Sequence, residues 1–166
     1  ERSHDIANGK AYGLAGPYES LAGRIHYTVD PENSVNRIIS DIENAPTNAA
    51  GLVEFSADFY LIKPKNVESG NGSVFFEVAN RGRLGMLSRF NRAVGSHDPM
   101  SADHMGDGFL LREGFTLLWV GWQHDTPLEE GRLRTYPPIA TDDGQPIEGL
   151  VRSDVIVPTK VFSHSL

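Results

Sequence analysis

Ser73-Val74-Phe75-Phe76-Glu77-Val78-Ala79-Asn80-Arg81-Gly82-Arg83 is the stretch on which the reading of this chain turns. It opens as a dense run of β-branched and aromatic residues and stops on Asn-Arg-Gly. A partner follows at Gly114-Phe115-Thr116-Leu117-Leu118-Trp119-Val120-Gly121-Trp122-Gln123-His124-Asp125. Both are apolar on successive rather than alternate residues, the pattern of strands covered on both faces. Each then ends on polar residues of the kind that line sites. The two are expected to be interior strands whose carboxyl ends carry the chemistry.

Between them, Leu84, Leu87, Phe90 and Val94 sit at steps of three, three and four, one apolar helical stripe with Gly95 as its stop. Asp107 is placed to cap a second short helix from Phe109 to Glu113, closed by Gly114. A buried strand, a helix-bearing crossover and a second buried strand make a βαβ unit, hence a parallel pair. Upstream, residues 52–63 alternate cleanly, with Val53, Phe55, Ala57, Phe59 and Leu61 on one face and Glu54, Ser56, Asp58 and Tyr60 on the other. Pro64 ends that strand, and Ser69-Gly70-Asn71-Gly72 reads as a hairpin turn pairing it with 73–79. Residues 23–29 alternate in the same way until Asp30-Pro31. Residues 33–44 read as irregular or single-turn structure, and 1–22 as irregular. A Pro- and charge-rich loop or insertion is expected from 126 to 146. A final strand over 149–157 follows, with Val161-Phe162 continuing it.

Composition narrows the possibilities. With 166 residues the chain forms one ordinary domain, or a domain and a fragment. Fifteen Lys and Arg against 22 Asp and Glu give a net charge of −7. That disfavours nucleic acid or an anionic membrane as partner, since both require a basic footprint. The absence of cysteine excludes disulfides, thiolate catalysis and zinc–thiolate sites. The chain begins at Glu1 with no signal-like segment ahead of it, as expected of a processed chain, a trimmed one or a fragment. The compartment stays open, with export to the periplasm or beyond after processing one expectation.

Ligands of open α/β sheets sit beyond the carboxyl ends of parallel strands. This singles out Asn80, Arg81, Gly82 and Arg83 after the first buried strand, and Gln123, His124 and Asp125 after the second. A tight Asn-Arg-Gly turn can aim backbone N–H groups into a cleft, as an oxyanion hole requires. It also fits a plain polar turn with glycine chosen for its backbone. His124 and Asp125 are adjacent, so on extended chain they face opposite ways and are poorly placed to pair as base and orienting acid. His97, Asp98, Asp103, His104 and Asp107 are metal-ligand residue types without a recognised ligand spacing. Trp119 and Trp122 read as packing anchors among aliphatic neighbours. No Gly-x-Ser-x-Gly elbow or nucleotide-binding glycine pattern occurs, and neither metal nor cofactor is expected.

Several phrases act together: Gly16-Pro17-Tyr18-Glu19, Val29-Asp30-Pro31, Ala45-Pro46-Thr47-Asn48, Gly51-Leu52-Val53-Glu54-Phe55, Glu77-Val78-Ala79-Asn80-Arg81-Gly82, Gly106-Asp107-Gly108-Phe109 and the stretch from Gly114 to Asp125. In this order they resemble the amino-terminal part of a family of bacterial α/β-hydrolase-domain proteins of largely undefined substrate. The resemblance implies an α/β fold: the start of a hydrolase-like sheet with antiparallel leading strands, one βαβ unit and long loops. It implies one incomplete domain over 1–166: an irregular segment at 1–22, a sheet core at 23–125, and a loop and final strand at 126–166. It further implies an esterase-type serine hydrolase acting on a small acyl substrate. Asn80, Arg81 and Gly82 would give one side of its oxyanion hole through backbone, with Arg83, Gln123, His124 and Asp125 toward substrate. The nucleophile would come from the remainder of the hydrolase domain. The alternative is a mainly-β sandwich serving as a non-catalytic binding or scaffold module, with carbohydrate as its ligand.

Overall fold

The computed structural model describes residues 2–150 together with 152, 154, 156, 159 and 160. The expected final strand over 149–157 and its continuation at Val161-Phe162 lie largely outside the described residues. Eight strands occur among the described residues: β1 (Arg2–Asp5), β2 (Tyr18–Val29), β3 (Val53–Pro64), β4 (Val74–Val78), β5 (Thr116–Val120), β6 (Thr135–Tyr136), β7 (Thr141–Asp142) and β8 (Gln145–Pro146). Six of them form one mixed sheet, with path β1-β2-β3-β5-β4 and β6 beside β3. The other two make a small antiparallel ribbon.

The hydrolase-like α/β sheet expected from the sequence is corrected here. Only β4 and β5 pair in parallel; every other pair in the sheet is antiparallel. The helices are single turns: α1 (Met86–Phe90), α2 (Ala102–Met105) and α3 (Phe109–Arg112). Nor do the described residues form a sandwich, since the sheet beyond the first is only the two-stranded β7–β8 ribbon of two residues per strand.

The expected α1 stripe breaks for a local reason. Asn91 is fully buried and its side chain bonds backbone, donating to Met105 O at 3.1 Å and accepting from Leu110 N at 3.0 Å. Arg92 then turns left-handed at φ 53°, which ends the helix. Leu84 and Leu87 are buried, whereas Phe90 and Val94 lie exposed. Asn91 thus gathers the three short helices that a longer helix would otherwise organise.

The expected hairpin between β3 and β4 is absent. β5 lies between them, with Leu61 opposite Leu118 and Leu118 opposite Phe76. Leu117 and Trp119 are wholly buried and favour the central place. β4 is left at the edge, with Val74, Phe76 and Val78 exposed, so it is not covered on both faces as its composition suggested. The segment 1–22 is also more regular than expected, since β1 pairs with the start of β2. Within 126–146, β6 and the small ribbon add short pairings.

The core lies on one side of the sheet. Across the strands, Ala22, Tyr60, Trp119 and Glu77 form one row, and Ser20, Ile62, Leu117 and Phe75 form the next. Ile6, Met86, Met105, Leu110 and Leu111 pack on them from the loops and short helices. Full burial of each such side chain contributes about 1.5–3 kcal/mol. Tyr18 Oη donates to Leu111 O at 2.9 Å and to Phe115 O at 3.1 Å, fastening the crossover to β2. The opposite side carries the row Leu21, Leu61, Leu118, Phe76, all half-buried or exposed.

Candidate functional site

The parallel pair brings two turns side by side. After β4, Ala79 is buried and Asn80–Gly82 forms a single 3-10 turn, with Arg81 left-handed at φ 52°. After β5, Gly121 lets the chain pass Arg134 so closely that a Cβ would stand 2.4 Å from its backbone N and O. Trp122, Gln123, His124 and Asp125 follow.

The two turns close on each other. Arg81 N–H donates to Gln123 Oε1 at 2.7 Å. The Arg81 guanidinium donates to Asp125 O at 2.6 Å and pairs with Asp125 Oδ2 at 2.6 Å. This hydrogen bond is the main reason that the Asp125 carboxyl titrates below its ordinary value. Trp122 Nε1–H donates to Ala79 O at 2.6 Å. From the following loop, Arg132 Nη1 donates to Arg81 O at 2.9 Å, Leu133 N to Gly82 O at 3.1 Å, and Arg134 Nη2 to His124 O.

Beside this strut lies a cleft of about 590 Å³, lined among others by Glu77, Asn80, Arg83, Ser88, Arg89 and His97. The structure therefore splits the residues expected at the site. Asn80 and Arg83 line the cleft, Arg81 and Gly82 form the turn behind it, and Gln123, His124 and Asp125 belong to the strut. His97 also borders a second cavity of about 590 Å³ containing Arg24, Asp58 and Tyr60. There Arg24 pairs with Asp58 at 3.0 Å and lies 3.8 Å from the Tyr136 ring centre.

Glu77 was not expected at the site. It points to the core side of β4, accepts from Met86 N at 2.7 Å and from Trp119 Nε1, and pairs with Arg89 at 2.6 Å. A lone acid inside an otherwise apolar strand was the available signal, because such a group must find partners. Trp122 corrects the packing expectation in the opposite direction: Trp119 is wholly buried, but Trp122 is 56% exposed.

The acidic and histidine residues at 97–107 are dispersed into local structure. His104 Nδ1 accepts from Met100 N at 3.2 Å and Ser101 N at 3.3 Å. Asp107 caps Phe109 N at 2.9 Å, and Asp98 accepts from Tyr60 Oη at 3.0 Å. Among the described residues no three such groups converge to hold a metal. No known family model, curated protein or solved structure matches this chain.

Proposed function

We propose that this chain is a non-catalytic, strand-rich binding module that holds a small hydroxylated ligand, carbohydrate by class, in the cleft that opens beside the carboxyl end of β4. The observation that carries the reading is the bond from Arg81 N–H to Gln123 Oε1. A backbone donor that stabilises an oxyanion must reach the reacting oxygen, and this donor already has its acceptor. The turn holds itself together, and side chains are what face the cleft. The hydroxyls there are engaged locally: Ser88 Oγ donates to Gly85 O at 2.9 Å, and Ser96 Oγ accepts from Asp98 N at 3.0 Å. Asn80, Arg83 and His97 add directional groups suited to sugar hydroxyls. Trp122, exposed and fixed by its indole N–H to Ala79, adds an aromatic surface near the turn.

The acyl-hydrolase expectation competes for the same cleft, and two measurements separate the readings. Calorimetric titration against a panel of mono- and oligosaccharides is expected to show saturable binding. Asn80→Ala should weaken it several-fold, up to roughly tenfold. A fluorophosphonate probe is expected to leave the chain unlabelled. Silence across the sugar panel, or stoichiometric labelling of a serine, overturns the proposal.

A further inference from the structure

Resting on that reading, we infer that the cleft selects an acidic sugar, whose carboxylate is held by the Arg83 guanidinium while its hydroxyls meet Asn80 and the neighbouring polar groups. The first support is the local sign of charge. The chain carries a net charge of −7, yet the cleft lining includes two arginines, Arg83 and Arg89, against one acid, Glu77.

That acid is already satisfied. Glu77 receives Met86 N and Trp119 Nε1 and pairs with Arg89, and its side chain is only 13% exposed. Arg89 is thereby balanced. Arg83 is different: it borders the cleft and is exposed, and its guanidinium makes no hydrogen bond to a described residue. Glu129 feels the charge of Arg83 and His97 at longer range, but its own carboxylate is bonded to Arg132 at 2.6 Å. One positive group therefore stands at the cleft with its paired donors unused.

The chemistry of that group names the ligand. A guanidinium presents donors in a planar fork that matches the two oxygens of a carboxylate. A phosphate ester offers the same sign of charge, but a dianion is best met by several cations or by converging backbone donors. Here the second arginine is committed to Glu77 and the Arg81 N–H to Gln123. A sugar carboxylate is the anion that one free guanidinium fits. The cleft volume, about 590 Å³, lies within the range of small-molecule sites.

The test compares glucose, glucuronate and glucose 6-phosphate by calorimetry on the whole chain. It uses the unmodified protein, Arg83→Gln and Arg83→Lys at low and high salt, with denaturation midpoints confirming that each variant folds. Glucuronate is expected to bind on the order of tenfold more tightly than glucose, with the margin shrinking in high salt. Arg83→Gln should erase the margin, bringing glucuronate down to whatever affinity that variant shows for glucose; Arg83→Lys should restore part of it. Equal binding of glucose and glucuronate, preference for the phosphate, or an unchanged margin in Arg83→Gln overturns the acidic-sugar assignment and leaves the binding-module reading standing. Failure of all three ligands to bind overturns the acidic-sugar assignment, and silence across the wider mono- and oligosaccharide panel overturns the binding-module reading as well.

Discussion

Arg81 occupies the left-handed region at φ 52°, a conformation that disfavours a residue with a Cβ by about 1–2 kcal/mol. Its own contacts offset that cost. The guanidinium holds Asp125, the carbonyl accepts from Arg132, and the N–H donates to Gln123. The last of these is the most exposed to test, because removing an acceptor from a part-buried N–H leaves the donor unsatisfied. Gln123→Ala is expected to lower stability by about 1–3 kcal/mol. In urea titration this appears as a lower midpoint with an unchanged slope. Gln123→Glu, which keeps an acceptor beside Arg81, should recover most of the loss. A Gln123→Ala chain as stable as the parent would mean that the turn is held without this bond. None of this was visible in the sequence, since nothing in the spacing of Arg81 and Gln123 says which atoms meet. The sequence marks both as polar residues at strand ends, and only the parallel pairing of β4 with β5 makes them neighbours.

Elements show where sequence patterns succeed and where they stop. Residues 53–61 alternate faithfully, and β3 covers them in antiparallel pairing with β2. Yet the side that is buried changes along the strand. Val53 and Ala57 are buried on one face, whereas Tyr60 and Ile62 are buried on the other. The reason is that the 39–45 loop covers the first half, together with Pro137 and Pro138, and the main core covers the second. Alternation identifies a strand but does not say what will lie on either side of it. Strand order escapes for a similar reason: 69–72 has the residues of a hairpin turn, but Asn71 N bonds Gly114 O at 2.9 Å and leads β4 to the far side of β5. Among the cleft residues, Asn80 and Arg83 were legible from their position after an apolar run. Ser88, Arg89 and His97 were not, because they reach the cleft through a crossover whose path depends on buried Asn91. Gly82 joins these elements. It sits at φ 72°, and a Cβ there would lie 2.4 Å from Leu133 O. Gly82→Ala is therefore expected to destabilise the chain by at least about 2 kcal/mol through backbone strain and overlap with the 131–134 loop. Thermal unfolding followed by circular dichroism would measure it, and a melting temperature equal to the parent's would contradict this account.

At the scale of the molecule, the described chain is one mixed sheet with one side packed by the main core and the other covered only beside the first half of β3. That asymmetry is why the hydrolase-like expectation fails at the level of fold: three one-turn helices all belong to the crossover, and the described residues supply no helical layer for the other face. Apolar side chains on successive positions of β4 and β5 were read as strands covered on both faces. The structure covers one, and Val74, Phe76 and Val78 stand at 59%, 52% and 61% exposure on the other. An apolar row of this kind on an edge strand has a practical result for anyone who purifies and assays the protein. Environment-sensitive dyes such as anilinonaphthalene sulfonate, usually taken to report loosened cores, are expected to fluoresce on the fully native chain. Phe76→Lys should dim that emission without lowering the unfolding temperature. Native emission no brighter than dye in buffer would count against an accessible apolar face. Dye-based melting curves will accordingly begin from a bright baseline. The emission of buried Trp119 is the better record of when this fold comes apart.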